Sequence, residues 1–491
     1  MSDVGPDAPT VSRRERDKVL IGGIAWAAAA RTGSQLATWI VSLLVARLLS
    51  PADYGVVAAA TVYLGFVALV TEFGLATAIV SQRDLSDHAI AQLGGLSVLL
   101  GLAGWAVTLA LAPLVATMLG MHELRQVLPV LGCTALLSSL NALPSALLQK
   151  QLRFKTQSNV ELVRAFVASV SLLLLALTGI GYWALVLNQI IALVAVSAML
   201  FAIVRYRVAF PRFRDIRGSL KITGQVLVSR AAWYTYSNAD VAVASRTAGR
   251  QALGEYWMAW NLMTLPSEKI GSVIMGVTTG IFASVQKDLL ETQRYFLRFS
   301  EAITLVLLPA TIGMALVSPE LVEVLLGQKW AATVPIIQAL ALATAVRTLG
   351  PICSQVLIAR LQAGIVMRYS ILAAVVLPLG FLVGAQFGTF GIALSWSIMS
   401  PPLLGYLLFI TCREIQLPMR RVVRTLAGPI GAVAVMAATV WAVRHLCDGA
   451  IANTHLKLTL FVAVGVLAYS LAVGLFMRER FIAVRELLRR R

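Results

Sequence analysis

The sequence has few charged residues. Only 13% of its 491 residues are charged, whereas 58% are hydrophobic; a soluble domain carries about 25% charged residues. An apolar excess of this size cannot be covered by the polar surface that a globular protein needs in water. The composition therefore excludes a soluble protein and predicts a membrane protein with several spans.

Residues that typically form metal and catalytic sites are also scarce. The chain has four cysteines and four histidines, and none of them stand at metal or redox spacing. It contains neither a G-x-x-x-x-G-K-[ST] phosphate loop nor a G-x-S-x-G nucleophile sequence. The segments between apolar runs on the predicted external side are too short to hold a catalytic domain. We therefore expect no cofactor, no metal and no enzymatic activity.

Acidic residues are outnumbered, with 23 Asp and Glu against 41 Lys and Arg and a net charge of +18. Most of these cations fall between alternate apolar segments when the N-terminus is placed in the cytoplasm. That asymmetry is the positive-inside pattern of membrane proteins, whose basic loops meet anionic lipid headgroups. The sequence thus predicts membrane lipids as partners, no nucleic acid, and both termini in the cytoplasm.

The apolar segments predict an all-α integral membrane protein with about fourteen transmembrane helices, since a span needs about 20 apolar residues. The segments lie near 19–49, 54–79, 89–119, 124–148, 158–179, 182–204, 219–244, 256–284, 296–318, 333–358, 365–387, 389–411, 425–444 and 457–477. The predicted organisation is a cytoplasmic tail (1–18), a six-helix lobe (19–204), a linker (205–218), a second six-helix lobe (219–411), a cytoplasmic loop (412–424), an additional helix pair (425–477) and a basic tail (478–491).

The two lobes are predicted to be repeats. The spacing between Arg31 and Arg47 equals the spacing between Arg230 and Arg246. Asp53-Tyr54 after the first segment resembles Glu255-Tyr256 after the seventh, with about three residues inserted in the turn. Repeated lobes of this kind are expected to enclose a central cavity.

Polar side chains recur on one face of the first, second, seventh and eighth helices, at about 100° per residue. An ionisable residue within a span faces a partner or a cavity by default. The predicted cavity residues are Arg31, Gln35, Thr38, Glu72, Arg230, Trp233, Tyr234, Ser237, Asp240, Trp257, Asn261, Glu268, Lys269 and Arg347. Arg164 is a further cation that we expect to be buried. Two alternatives stay open: these charges pair between helices, and Glu72 either couples to protons or neutralises a cation.

Four stretches resemble one transporter family. They are Leu44-Val45-Ala46-Arg47-Leu48-Leu49-Ser50-Pro51-Ala52-Asp53-Tyr54-Gly55, Glu72-Phe73-Gly74-Leu75, Leu147-Leu148-Gln149-Lys150 with Arg153-Phe154, and Leu253-Gly254-Glu255-Tyr256. Together they resemble Wzx-type polysaccharide flippases of the multidrug/oligosaccharidyl-lipid/polysaccharide exporter superfamily.

The resemblance implies two six-helix lobes around a cationic cavity. It implies transport of undecaprenyl-pyrophosphate-linked oligosaccharide across the bacterial inner membrane, by alternating access, for exopolysaccharide, capsule or lipopolysaccharide O-antigen. It also suggests a polysaccharide polymerase and chain-length machinery as partners. Two alternatives remain: a cation-coupled exporter of drugs or of another prenyl-linked lipid, and, from another class, a membrane glycosyltransferase or polymerase.

Overall fold

The computed structural model describes residues 35, 38–72, 86–151, 153–204, 209–211, 231, 233–447 and 451–476. This part of the chain is helical and contains no strand. Its helices are α1 (Thr38–Leu48), α2 (Pro51–Glu72), α3 (Asp87–Leu119), α4 (Leu124–Lys150), α5 (Phe154–Leu177), α6 (Tyr182–Ile203), α7 (233–247), α8 (Gly249–Ser284), α9 (Leu289–Leu316), α10 (Ser318–Leu325), α11 (Thr333–Arg347), α12 (Gly350–Ala359), α13 (Ala363–Gly384), α14 (Gly388–Glu414), α15 (Met419–Cys447) and α16 (Thr454–Phe476). Two 3-10 turns, Gln328–Trp330 and Ala385–Phe387, lie between them.

Apolar length explains why these segments are helices, because only a helix satisfies its own backbone groups in lipid. Ten segments of the described chain are long and apolar enough to cross a membrane. The predicted class, an all-α membrane protein, is therefore confirmed. The predicted number of spans and the predicted division into lobes stay predictions.

The start of α2 shows how the sequence sets a helix boundary. Ser50 precedes the helix, and its amide and hydroxyl both donate to Asp53 Oδ2, at 2.9 and 2.6 Å. The Asp53 amide in turn donates to the Ser50 hydroxyl, at 3.3 Å. This is a reciprocal capping box, with Pro51 at the first helical position, where its missing N–H costs nothing.

One predicted span contains a turn, and one predicted boundary is wrong. The predicted segment 333–358 is confirmed as one span-length segment, Thr333–Ala359, with a short turn between the end of α11 at Arg347 and the start of α12 at Gly350. Pro351 has no N–H to bond the Arg347 carbonyl, which fits a turn at this point. The predicted eighth segment begins at 256, but α8 begins at Gly249, whose φ of +76° turns the chain directly from α7 into α8.

The described helices pack into two compact units. Unit 1 comprises residues 1–48, 67–110 and 128–226, and unit 2 comprises residues 49–66, 111–127 and 227–491. In unit 1, α3 and α4 approach closely where glycines oppose small or flexible side chains, and the Ser97 hydroxyl donates to the Ser139 carbonyl at 3.1 Å.

The core of unit 2 lies among α8, α9, α12, α14 and α15, around fully buried side chains such as Phe296 and Ile352. The last two helices belong to this unit. The Tyr469 hydroxyl on α16 donates to the Leu305 carbonyl of α9 at 2.6 Å. Arg444 on α15 pairs with Glu320 on α10. The additional helix pair is thus joined to the rest of unit 2 by polar contacts as well as by apolar packing.

Candidate functional site

Several predicted cavity residues cannot be placed. Arg31 and Arg230 lie outside the described residues. Glu72 ends α2 and Lys269 lies within α8, but the described part of the chain does not include their side chains. These four positions stay predictions.

In unit 1, Gln35 and Thr38 are half-buried, and the Thr38 and Ser169 hydroxyl oxygens lie 3.3 Å apart. The expectation that Arg164 is buried is wrong. It pairs with Glu161 one helical turn away at 3.3 Å, and about half of its side chain is exposed (53%). Its own α5 neighbour therefore supplies the counter-charge.

The described residues of α7 differ in their surroundings along the predicted face. Trp233 is exposed. The Tyr234 hydroxyl donates to the Val62 carbonyl of α2 at 3.1 Å, and its ring meets Phe66 edge-on, with centroids 4.8 Å apart. Ser237 is half-buried. The α7 face thus begins at an exposed indole and then packs on the middle of α2.

Asp240, on the same face, is completely buried. Its Oδ2 accepts hydrogen bonds from the Tyr256 hydroxyl at 2.6 Å and from the Trp396 indole N–H at 2.9 Å. Its Oδ1 accepts from the Val241 amide at 2.9 Å. The carboxylate is thus occupied by three protein donors contributed from α7, α8 and α14, and in this structure none of its surface is accessible.

Arg347 lies beside this carboxylate. Its guanidinium carbon is 4.2 Å from the centroid of the Trp396 ring and 5.3 Å from that of Trp260, which is cation–π geometry. The guanidinium is close enough to Asp240 to interact with it electrostatically. Its Nη1 is buried and makes no hydrogen bond. We call Asp240, Tyr256, Trp260, Arg347 and Trp396 the Asp240 network.

The face predicted on α8 is divided between packing and exposure. Trp257 is half-buried, and the Asn261 side-chain amide donates to the Trp257 carbonyl one turn earlier, at 2.7 Å. Glu268, further along, is exposed. The Asn261 amide N–H is therefore already engaged by its own helix, while Glu268 is accessible.

The starts of α2 and α8 cross at two glycines in unit 2. A Cβ built on Gly55 would lie 1.8 Å from the Arg250 carbonyl oxygen, and one built on Gly254 would lie 1.8 Å from the Pro51 carbonyl oxygen. Both distances are far below van der Waals contact, so the two backbones touch and only glycine fits at either position. We call this contact the glycine crossing.

Aromatic rings and charges surround the glycine crossing. Tyr54 is 6.1 Å from Trp257 and 5.4 Å from Trp330 between ring centroids, the second contact being edge-on. We call these three residues the aromatic cluster. Near it, Arg250 pairs with Glu123 at 2.5 Å.

Lys329 donates to the Leu49 carbonyl beside the same crossing. Partial burial lowers the pKa of the Lys329 ammonium, and the nearby Asp53 carboxylate offsets part of that shift. The starts of α2 and α8 are thus held together by backbone contact and a ring contact, and Lys329 and Glu123 tie them to neighbouring segments.

The glycine crossing also gives the register of the predicted repeat. Its contacts are reciprocal: Gly55 meets the carbonyl four residues before Gly254, and Gly254 meets the carbonyl four residues before Gly55. Gly55 and Gly254 are 199 positions apart, as are Arg47 and Arg246. The equivalence therefore needs no inserted residues, and the expected match of Tyr54 with Tyr256 is three positions out of register.

Sequence reasoning missed three members of the Asp240 network. Tyr256 was assigned to the repeat rather than to Asp240, and Trp260 and Trp396 were not singled out at all. Trp396 is 156 residues from its carboxylate partner. Because tryptophan is common in membrane helices, no feature of the sequence marks this one as a hydrogen-bond donor to a buried acid.

Comparison with known proteins identifies the family. The family described as "Polysaccharide biosynthesis protein" matches residues 44–335, more than half of the chain. The succinoglycan biosynthesis transport protein ExoT of Rhizobium meliloti is 23% identical, over 96% of this chain and 95% of that protein. The teichuronic acid biosynthesis protein TuaB of Bacillus subtilis is 23% identical, over 82% and 84%. The lipopolysaccharide biosynthesis protein WzxC of Escherichia coli is 22% identical, over 78% and 82%.

Solved structures show the same fold. The lipid II flippase MurJ in an inward closed conformation superposes with a TM-score of 0.74 at 15% identity, over 93% of this chain and 100% of that one. An inward-facing multidrug transporter of the MATE family and the MOP superfamily gives a TM-score of 0.62 at 14% identity, over 77% and 96%. The resemblance drawn from the sequence is confirmed. The chain is a multi-span membrane protein of the polysaccharide biosynthesis family, and its fold is similar to that of MOP-superfamily transporters.

Proposed function

We propose that the protein is a flippase that moves undecaprenyl-pyrophosphate-linked oligosaccharide from the inner to the outer leaflet of the bacterial cytoplasmic membrane. Family membership supports a role in polysaccharide biosynthesis. The similarity to ExoT, a succinoglycan biosynthesis transport protein, supports transport, and the fold shared with a lipid II flippase supports a lipid-linked substrate. The termini are proposed to lie in the cytoplasm, as the distribution of basic residues predicts.

The observation that carries the mechanism is the glycine crossing. The starts of α2 and α8 lie at the end of these helices that is predicted to be external, and they are pressed into backbone contact there. A transporter that works by alternating access must close one side while the other is open. The glycine crossing and the aromatic cluster fit the closed external side of such a cycle. Release of a glycan to the outside would then require the two helix starts to separate.

The substrate cavity is proposed to contain Arg31 and Arg230, with the half-buried or exposed residues of their faces. Arginine forks suit the pyrophosphate, and tryptophan and tyrosine rings suit sugar faces. Trp233 and Glu268, which are exposed, are the described candidates most accessible to a ligand. Asp240 and Arg347 belong instead to the Asp240 network. A polymerase and chain-length proteins are the proposed partners downstream.

A deletion strain tests the transport step. The strain is expected to assemble the lipid-linked repeat unit normally and to retain it on the cytoplasmic leaflet, with loss of exported polysaccharide. Complementation by Arg31→Gln and Arg230→Gln variants is expected to fail although both proteins accumulate in the membrane. Arg294→Gln is the matched control and is expected to complement fully, because Arg294 precedes the predicted membrane segment 296–318 and pairs with Glu291 one turn away at 3.0 Å.

Three results would contradict the proposal. Full export by the double Arg31→Gln, Arg230→Gln variant would remove the cavity assignment. Drug sensitivity without a polysaccharide defect in the deletion strain would favour export of another substrate. Repeat units found unpolymerised on the outer leaflet would assign the protein to polymerisation instead.

A further inference from the structure

The Asp240 carboxylate is buried in unit 2, so its negative charge needs compensation from its surroundings. A carboxylate that is fully removed from water is strongly destabilised unless a proton, a bound cation or a fixed protein charge compensates it. In a transporter, the first two solutions would make the residue an ion-coupling site. The groups around Asp240 distinguish between the three.

The hydrogen-bonding partners of Asp240 are all donors. A hydroxyl, an indole N–H and a backbone amide point at the two carboxylate oxygens. Hard cations such as Na⁺ are bound by oxygen acceptors, which these groups do not offer while they donate to Asp240. A protonated Asp240 could donate to the Tyr256 hydroxyl, which can accept as well as donate. It would, however, leave the positive charge of Arg347, whose Nη1 is buried, without its carboxylate partner. The arrangement suits an ionised carboxylate with no exchangeable cation on it.

Arg347 supplies the missing positive charge without a direct salt bridge. Its guanidinium lies on the face of the Trp396 ring, 4.2 Å from the centroid, and the N–H of the same ring donates to Asp240 at 2.9 Å. A cation on the π face makes the indole a stronger donor, so the positive charge is transmitted to the carboxylate through Trp396. Arginine does not lose its proton in proteins, so this charge is permanent.

We infer that Arg347 is the tethered counter-cation of Asp240, and that this carboxylate carries no exchangeable Na⁺ or proton. The network joins α7, α8, α11 and α14 of unit 2 around one neutralised pair. Arg347 is thus a positioning residue rather than a ligand of the transported substrate. If flipping is driven by an ion gradient, the ion binds elsewhere.

The thermal stability of the purified full-length chain tests the inference independently of transport. The melting temperature is measured in detergent in NaCl and in choline chloride at equal ionic strength. The variants are Arg347→Met, which keeps apolar volume but removes the charge, Asp240→Asn, the double variant, and Arg347→Lys, which keeps the charge.

We expect the difference between the two salts in the wild-type melting temperature to be unchanged within about 1 °C in Asp240→Asn, because no Na⁺ is bound at this carboxylate. Arg347→Met is expected to melt at least ~5 °C lower in choline, since it leaves a buried charge unpaired. NaCl should restore part of the lost melting temperature, because Na⁺ can enter beside the uncompensated Asp240 carboxylate. The double variant should also recover part of it, because it has no unpaired charge. Arg347→Lys should behave more like the wild type than Arg347→Met does.

Two outcomes would overturn the inference. One is a Na⁺ stabilisation of several degrees over choline that the wild-type protein shows and Asp240→Asn does not, which would place an exchangeable cation on the carboxylate. The other is a double variant whose loss equals the sum of the two single losses, which would show that the two charges do not interact. Should Arg347→Met fail to accumulate while the double variant does, the inference is supported. Should neither accumulate, the comparison of salts in the wild-type chain and in Asp240→Asn decides.

Discussion

Adding a single methyl group at either glycine of the glycine crossing is expected to force α2 and α8 apart. In Gly55→Ala, the new Cβ would lie 1.8 Å from the Arg250 carbonyl oxygen. Ordinary van der Waals contact between these atoms begins at about 3.4 Å. The starts of α2 and α8 must therefore move apart by about 1.6 Å or more. The obstacle is backbone on both sides, so no side-chain rotation relieves it. Gly254→Ala meets the Pro51 carbonyl oxygen in the same way.

Overpacking of a close contact costs about 1–3 kcal/mol. Because the strain exists only while the crossing is closed, the cost shifts the balance toward the separated state by about 5–150-fold. Export needs both states, so a shift of this size is expected to reduce export strongly while leaving the protein folded in the membrane. The matched control is Gly276→Ala on the same α8, where a Cβ meets nothing within 4 Å.

The assay combines export with accessibility. Ala59, completely covered one turn beyond Gly55, is replaced by cysteine in a chain whose four native cysteines have been changed to serine. A membrane-impermeant maleimide applied to intact cells should label this cysteine faster in Gly55→Ala than in the parent or in Gly276→Ala. The reasoning is refuted if Gly55→Ala exports normally and labels at the parent rate.

Three smaller predictions follow from contacts around the same unit. Ser50→Ala removes half of the capping box and should lower the free energy of unfolding by about 0.5–2 kcal/mol, measured by thermal unfolding; an unchanged melting temperature would contradict the cap. Glu123→Gln breaks a partly exposed ion pair with Arg250 and should speed maleimide labelling of the Ala59 cysteine only slightly, because exposed pairs are worth about 0.2–1 kcal/mol; an effect as large as that of Gly55→Ala would argue against this ranking. Arg444→Met leaves the mostly buried Glu320 unpaired and should make the last two helices susceptible to proteolysis, whereas a double variant with Glu320→Gln should recover resistance.

Hydropathy predicted the fold class because an apolar segment in a membrane has few alternatives to a helix. Apolar segments of sufficient length must be helical, and their positions could be read within several residues. The boundary that failed depended on a single backbone feature: the positive φ of Gly249 lets α8 begin about two turns before the predicted residue 256. The predicted segment 333–358 holds as one span, with a short turn before Pro351.

The candidate site was less accessible to sequence reasoning. Helical periodicity placed Asp240 on one face with Trp233 and Ser237, and that grouping implied a common cavity. Periodicity describes one helix, however, and the fate of Asp240 is decided by Tyr256 and Trp396 on two others. The polarity of a residue shows that it needs a partner, but only the fold shows whether that partner is protein or ligand.

The glycine crossing was partly predictable from the sequence, less so than the fold class and more so than the contacts of Asp240. Gly55 was part of the stretch that carried the family resemblance, and Gly254 belonged to a second such stretch. The sequence thus singled out both glycines without showing that they touch. The equal 199-residue offset of the glycines and of Arg47 and Arg246 would have predicted the pairing, had the match of the two tyrosines not suggested an insertion.

Flipping by the purified protein tests the central claim most directly. The chain is reconstituted into liposomes that carry an undecaprenyl-pyrophosphate oligosaccharide with a fluorescent label on the glycan, and a membrane-impermeant quencher reports which leaflet holds it. The account predicts rapid equilibration of the label between leaflets with the wild-type chain and with Gly276→Ala, and slow equilibration with Gly55→Ala and with empty liposomes. Equal rates in wild-type and empty liposomes would contradict it.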